Sequence, residues 1–236
     1  MGRREELNPM VLAGKIFRLR EPLPLRTIAY KLKDLKREEA FDKDPYHFKL
    51  ITEVKDIGIG ANTLRGILSQ DFLSYVYHHG ETIPMPRTVE STFAFTEDRG
   101  RVLLTVLEKK RMANSIANLF SEALFIAKGG IVEARIPPEN LRKFHEENKE
   151  ATKVIFFDDV DIPNIQKLSL YGESLANTGL YEDYLSHGSL WYVVVTSRSH
   201  GIVVGVTRDG VVTVFSKIEK SDYLNFVESE VFPLIP

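Results

Sequence analysis

The residues best suited to chemistry are Asp158, Asp159 and Asp161, which follow an apolar run at 154–157. Carboxylates at the end of a strand can hold a hard cation such as Mg²⁺, and a cation held there supports phosphoryl hydrolysis. Aspartates also gather in turns for local backbone reasons, and no further ligand follows at a diagnostic spacing. The histidines, His47, His78, His79, His145, His187 and His200, show no His-Glu-x-x-His or related pattern. Adjacent His78 and His79 would project to opposite faces of a strand and so could not easily share an ion. Gly58, Gly60 and Gly66 in IGIGANTLRG fit neither G-x-G-x-x-G nor the Walker pattern, and a bulged or twisted strand explains them better. Ser69, Ser74 and Ser91 lack a G-x-S-x-G context. The chain has no cysteine, which excludes disulfides, zinc ribbons, iron–sulfur ligation and thiol nucleophiles within it. No catalytic residue, cofactor or resident metal is therefore expected, and a metal-dependent phosphohydrolase centred on the aspartates is the enzymatic alternative.

Positive charge offers a different chemistry. Lys15, Arg18, Arg20, Arg26, Lys31, Lys33, Lys36 and Arg37 face only Glu21 and Asp34 across residues 15–37, a local charge of +6 in a chain of net charge -2. Lys109, Lys110 and Arg111 form a second cluster at the start of an expected helix. Helix N-termini favour anions, so a polyanion would suit that position. Nucleic acid, DNA or RNA, would satisfy both clusters through its phosphates. The leading expectation is a non-enzymatic binding protein contacting nucleic acid through Arg18, Arg20, Arg26, Lys31, Lys33, Lys36, Arg37, Lys109, Lys110 and Arg111. The alternative is a protein–protein module, including self-association through an exposed sheet edge or the Trp191 strand. Trp191 and Tyr192 could also stack bases, although core packing is the commoner use of such residues.

The elements that would carry these groups read as α+β. At 236 residues, with 43% apolar and 27% charged residues, the chain falls in the globular range. Its apolar runs are far shorter than the ~20 residues needed to span a bilayer. The charged start lacks the apolar stretch of a secretory signal, so a cytoplasmic location without membrane contact is expected. The absence of Cys, the presence of only Gln70 and Gln166, and abundant Lys, Glu and Arg suit a heat-adapted source.

Asn8 and Pro9 resemble a helix start, although Gly14 weakens a helix over 9–20. Leu25 to about Ala40 is expected to be helical, and 42–46 a loop. From Phe48 to Leu107 the pattern favours strands. These include Phe72–Tyr77 closed by His78, His79 and Gly80, a loop or edge at Pro84 and Pro86, and a hairpin turning at 97–100. Met112, Ala113, Ile116, Ala117, Leu119, Phe120, Ala123 and Leu124 form a helical stripe ended by Gly129 and Gly130. Strands at 132–136, 154–157, 191–196, 202–207 and 211–216 then alternate with short helices after Pro138, around Tyr181 and after Ser221. The expected division is 1–130 and 131–236.

Two stretches share one plan of strand, polar turn, strand and helix: Ser91 to Phe120, turning at TEDRG, and Ile202 to Phe232, turning at TRDG. This pattern resembles the hairpin-and-helix end of a repeat in TATA-binding-protein-like folds. The resemblance implies two related halves with helices on one face of mostly antiparallel sheets, the other face serving as a binding surface. That family kinks DNA with phenylalanine pairs on the open sheet face. Phe93 and Phe95 would supply one pair, with no counterpart at Val204 and Val206.

Overall fold

The computed structural model describes residues 11–173, 175 and 178–236. They form two compact units: Phe17–Val132, and the described part of Met1–Ile16 together with Glu133–Pro236. Both combine helices with antiparallel strands, so the chain is α+β. No helix among the described residues is long and apolar enough to cross a membrane.

Strand β1 (Leu12–Leu19) contributes Phe17–Leu19 to the first unit. This is a correction to the helix considered over 9–20, of which residues 9 and 10, like its expected cap Asn8, lie outside the described residues. Positions 14–17 are all buried, so the strand shows no apolar–polar alternation. Helix α1 (Leu25–Lys33) follows, burying Leu25, Ile28, Ala29 and Leu32 along one stripe. It ends at Asp34, well short of Ala40. The next residues form β2 (Lys36–Lys43), an antiparallel edge strand paired with β3 (Tyr46–Ile59) from Lys36 opposite Glu53 to Lys43 opposite Tyr46. Strand β2 is charged on both faces, so it lacks the alternation by which a strand is recognised, but that charge also discourages further pairing at its edge.

Strands β4 (Thr63–His78), β5 (Glu81–Asp98) and β6 (Arg101–Val106) complete an antiparallel meander, with β1 beside β6. The glycine-rich stretch is a bulge: the β3–β4 register shifts between Lys55 and Gly58, with Asp56 at φ 52°. A side chain at Gly66 would come within 2.6 Å of the Phe93 ring, so that ring can lie directly over the β4 backbone. Helix α2 (Lys110–Phe125) covers this face. Phe120 meets Phe93 at 4.8 Å and Phe95 at 5.8 Å between ring centroids, and all three are fully buried with Leu64, Leu68, Leu104 and Val106. Phe93 and Phe95 thus form the core beneath α2. This corrects the expectation that they sit as a pair on an open sheet face.

The meander forks. Pairing between β3 and β4 stops at Thr52 opposite Gln70, whereas β2–β3 continues to Lys43 and Tyr46, and β4–β5 to His78 and Glu81. Asp71 sits at the branch point. Its carboxylate accepts a hydrogen bond from the Ile51 amide at 2.9 Å and another from the Thr88 hydroxyl at 2.6 Å. The Thr88 bond, followed by the Ile51 bond, holds the Asp71 carboxyl below its ordinary range. Asp71→Ala is expected to cost about 1 kcal/mol and to speed hydrogen exchange at the Ile51 amide. Unchanged exchange there would show that the branch needs no such anchor.

In the second unit, Leu12–Lys15 of β1 pairs with β12 (Val211–Val214). Strand β12 continues through β11 (Val203–Thr207), β10 (Ser189–Thr196) and β8 (Thr152–Asp158) to β9 (Leu168–Tyr171). The short β7 (Ile131–Glu133), of which only Glu133 belongs to this unit, pairs with β1. Alternation puts Ile155, Phe157, Val193, Val195, Val204, Val206, Val212 and Val214 in the core. Helix α3 (Pro138–Glu147) packs on β10. Helix α4 (Gly179–His187) brings Tyr181 and Tyr184 to the Phe157 ring. Helix α5 (Lys220–Phe226) buries Tyr223, whose hydroxyl donates to the Val212 carbonyl at 2.9 Å. The helices of this unit therefore lie on one face of its strands.

Candidate binding surfaces

The basic residues do not gather into one surface. Lys15 is fully buried and paired with Glu133. Lys31, in the last turn of α1, donates at 2.5 Å to the Leu124 carbonyl at the C-terminal end of α2, where a cation offsets the helix dipole. Lys109–Arg111 lie at the other end of α2, roughly 20 Å away at 1.5 Å rise per residue. Lys36 and Arg37 are neighbours on β2 and project to opposite faces. Lys36 pairs with Glu38 at 3.1 Å, and Arg37 reaches Glu122 on α2 at 3.3 Å. Lys110 also has a partner. Arg18, Arg20, Arg26, Lys33, Lys109 and Arg111 are exposed, and none has an acidic partner among the described residues. The charge run along the chain is therefore dispersed by strand alternation and by acids distant in sequence.

The aspartate cluster is likewise dispersed. Asp158 accepts from Arg208 at 2.6 Å, Asp159 approaches the same guanidinium at 3.4 Å, and Asp161 pairs with His187 at 2.8 Å. Arg208 thus occupies the position a cation would need between the first two carboxylates. Burial raises the Asp158 carboxyl above its ordinary range, while Arg208 acts in the opposite sense. Among the described residues no group of three or more His, Asp or Glu side chains is arranged to hold a metal. The hydroxyl of Ser199 contacts His200 Nδ1 and Glu230, each at 2.9 Å, and the Ser197 hydroxyl at 3.1 Å.

No protein-family model and no curated protein matches the chain.

One surface is the helix-free side of the second unit's strands. Alternation places Phe156 and Tyr192 there, with rings 5.4 Å apart, and Phe156 also lies 5.6 Å from both Tyr171 and Trp191. The Lys167 ammonium sits 5.0 Å from the Trp191 ring centre. Phe156, Trp191 and Tyr192 are half-buried, whereas Tyr171 is exposed.

The other surface is the arm of the fork formed by residues 72–87 of β4 and β5, which pairs with no other strand among the described residues. Five large apolar side chains are exposed here: Phe72, Tyr75, Val76, Tyr77 and Met85. Tyr75 and Tyr77 expose 60% and 74% of their area, well beyond what a solvated strand requires. Leu73, Tyr75 and Tyr77 share one face with Pro86, Pro84 and Thr82, while Phe72 and Val76 share the other with Met85 and Ile83. Both faces are thus apolar, and Asp71, Glu81 and Arg87 are the only carboxylate or guanidinium groups along 71–87. The sequence shows this strand and its closing turn at His79 and Gly80, but not that β3 departs and leaves the arm alone. Its visible sign is the run FLSYVYH, which carries no Lys, Glu, Asp or Pro.

Proposed function

We propose that this chain is a non-enzymatic assembly protein that works by protein–protein contact through the β4–β5 arm. The supporting observation is a two-stranded ribbon exposing aromatic and aliphatic side chains on both faces. An isolated ribbon of this kind is marginal in water, and exposed apolar patches of this size mark interaction sites. The test is to replace residues 73–86 with an Asn-Gly turn, closing the shortened hairpin on the hydrogen-bonded Phe72–Arg87 pair. The shortened chain should keep the melting temperature of the parent and lose its association with itself or its partner in sedimentation. Association equal to that of the parent would overturn the reading.

Nucleic-acid binding is the second reading, supported by Arg18, Arg20, Arg26, Lys33, Lys109 and Arg111, which are exposed and have no acidic partner among the described residues. It requires affinity that falls steeply with added salt. The recurrence of two hairpin strands followed by a helix, β5–β6–α2 in one unit and β11–β12–α5 in the other, supports a duplication of the kind found in TATA-binding-protein-like folds, and with it a sheet face used for contact.

A further inference from the structure

The occupant of the arm can be inferred from its edges, taking the assembly reading as the starting point. The two-residue turn at His79 and Gly80, both at positive φ, makes His78 and Glu81 the closing hydrogen-bonded pair. Even-numbered residues of β4 therefore exchange backbone bonds with β5. Leu73, Tyr75 and Tyr77 turn their N–H and C=O groups outward, along the edge that β3 has left. On β5 the outward positions are the even ones, as the bond from the Leu107 amide to the Thr92 carbonyl shows. Pro84 and Pro86 occupy two of them. Proline has no N–H to donate, so the β5 edge is blocked. Edges of natural sheets are generally closed by charge, proline or bulges. Charge closes β2 and proline closes the β5 side of the arm, whereas residues 72–78 of β4 carry neither.

The geometry points to a second copy of this chain as the occupant, its β4 strand adding antiparallel to the first with the two-fold axis at Tyr75. In that register Tyr75 faces Tyr75 of the other copy, Leu73 faces Tyr77, and Ser74 faces Val76. All the outward backbone groups of Leu73, Tyr75 and Tyr77 are then satisfied reciprocally, as an isologous contact requires. Each opposed pair joins apolar, aromatic or small neutral side chains, and no like charges meet. The exposed apolar area of both arms is on the order of 1,000 Å² in total, at the lower limit of specific interfaces. The dimer is accordingly concentration-dependent, forming at micromolar protein.

Sedimentation of the full chain across micromolar to submillimolar concentration tests this, using two proline variants. Tyr75→Pro removes an outward N–H on β4 without touching the β4–β5 bonds, and should weaken dimerisation by about a hundredfold. Thr82→Pro makes the same change on the already blocked β5 edge and should leave the dimer unaltered while controlling for folding. Because the chain has no cysteine, Tyr75→Cys provides a single thiol, which a short bismaleimide should link between copies. A chain that stays monomeric throughout overturns the inference. So does a dimer equally sensitive to both prolines, or one insensitive to Tyr75→Pro whose Tyr75→Cys variant gives no cross-link. If that insensitive dimer is still lost when residues 73–86 are removed, the arm assembles in another way and the broader reading stands. If it survives their removal, both fall.

Discussion

Phe120→Ala is expected to destabilise the unit Phe17–Val132 by about 3–5 kcal/mol, the usual cost of removing a fully buried phenylalanine. Phe120 is the part of α2 that Phe93 and Phe95 both touch, each approaching through a ring contact, and none of the three is exposed. The gap could not readily close. Phe93 already lies against Gly66, and β4 cannot move inward past that ring. Urea unfolding followed by far-UV circular dichroism measures the loss. A cost below about 1 kcal/mol would mean that the site collapses freely, contrary to close packing.

Acid should destabilise the protein through His145. This side chain is fully buried on α3, with Nδ1 3.1 Å from the Tyr181 hydroxyl and Nε2 without a hydrogen-bond partner among the described residues. Burial pushes its pKa down to about 4, with Glu146 raising it slightly and Arg142 lowering it. The unfolded chain, with an ordinary histidine near 6.5, therefore binds this proton first as pH falls. Stability attributable to His145 is complete above pH about 6.5, declines between there and about 4, and is constant below. The difference between the two values corresponds to about 3 kcal/mol. His145→Gln should flatten the pH dependence of stability in that window. An equally steep profile in the variant would place the sensitivity in other groups.

Periodicity made the centre of each unit legible. The α2 stripe, the hairpin at Arg99 and Gly100, and the strands at 203–207 and 211–214 all bury one face, so apolar residues recur at the period of the element. Where that one-sidedness fails, the sequence misleads. Strand β1 is buried at four consecutive positions and β2 is polar on both sides, so neither shows a strand period. The basic stretch fails for a related reason. Arg37 meets Glu122 and Lys31 meets the Leu124 carbonyl, and both partners come from a helix some 90 positions away. No local pattern announces such pairings. The fork is also invisible locally, because it depends on where β3 parts from β4 rather than on the composition of either strand.

The asymmetry of the arm has a further consequence. A ribbon open along both borders could recruit copy after copy and propagate into a cross-β filament. With Pro84 and Pro86 sealing one border, growth terminates once the other is occupied. If the arm pairs as proposed, substituting these prolines would turn a self-limiting pair into a seed for polymerisation.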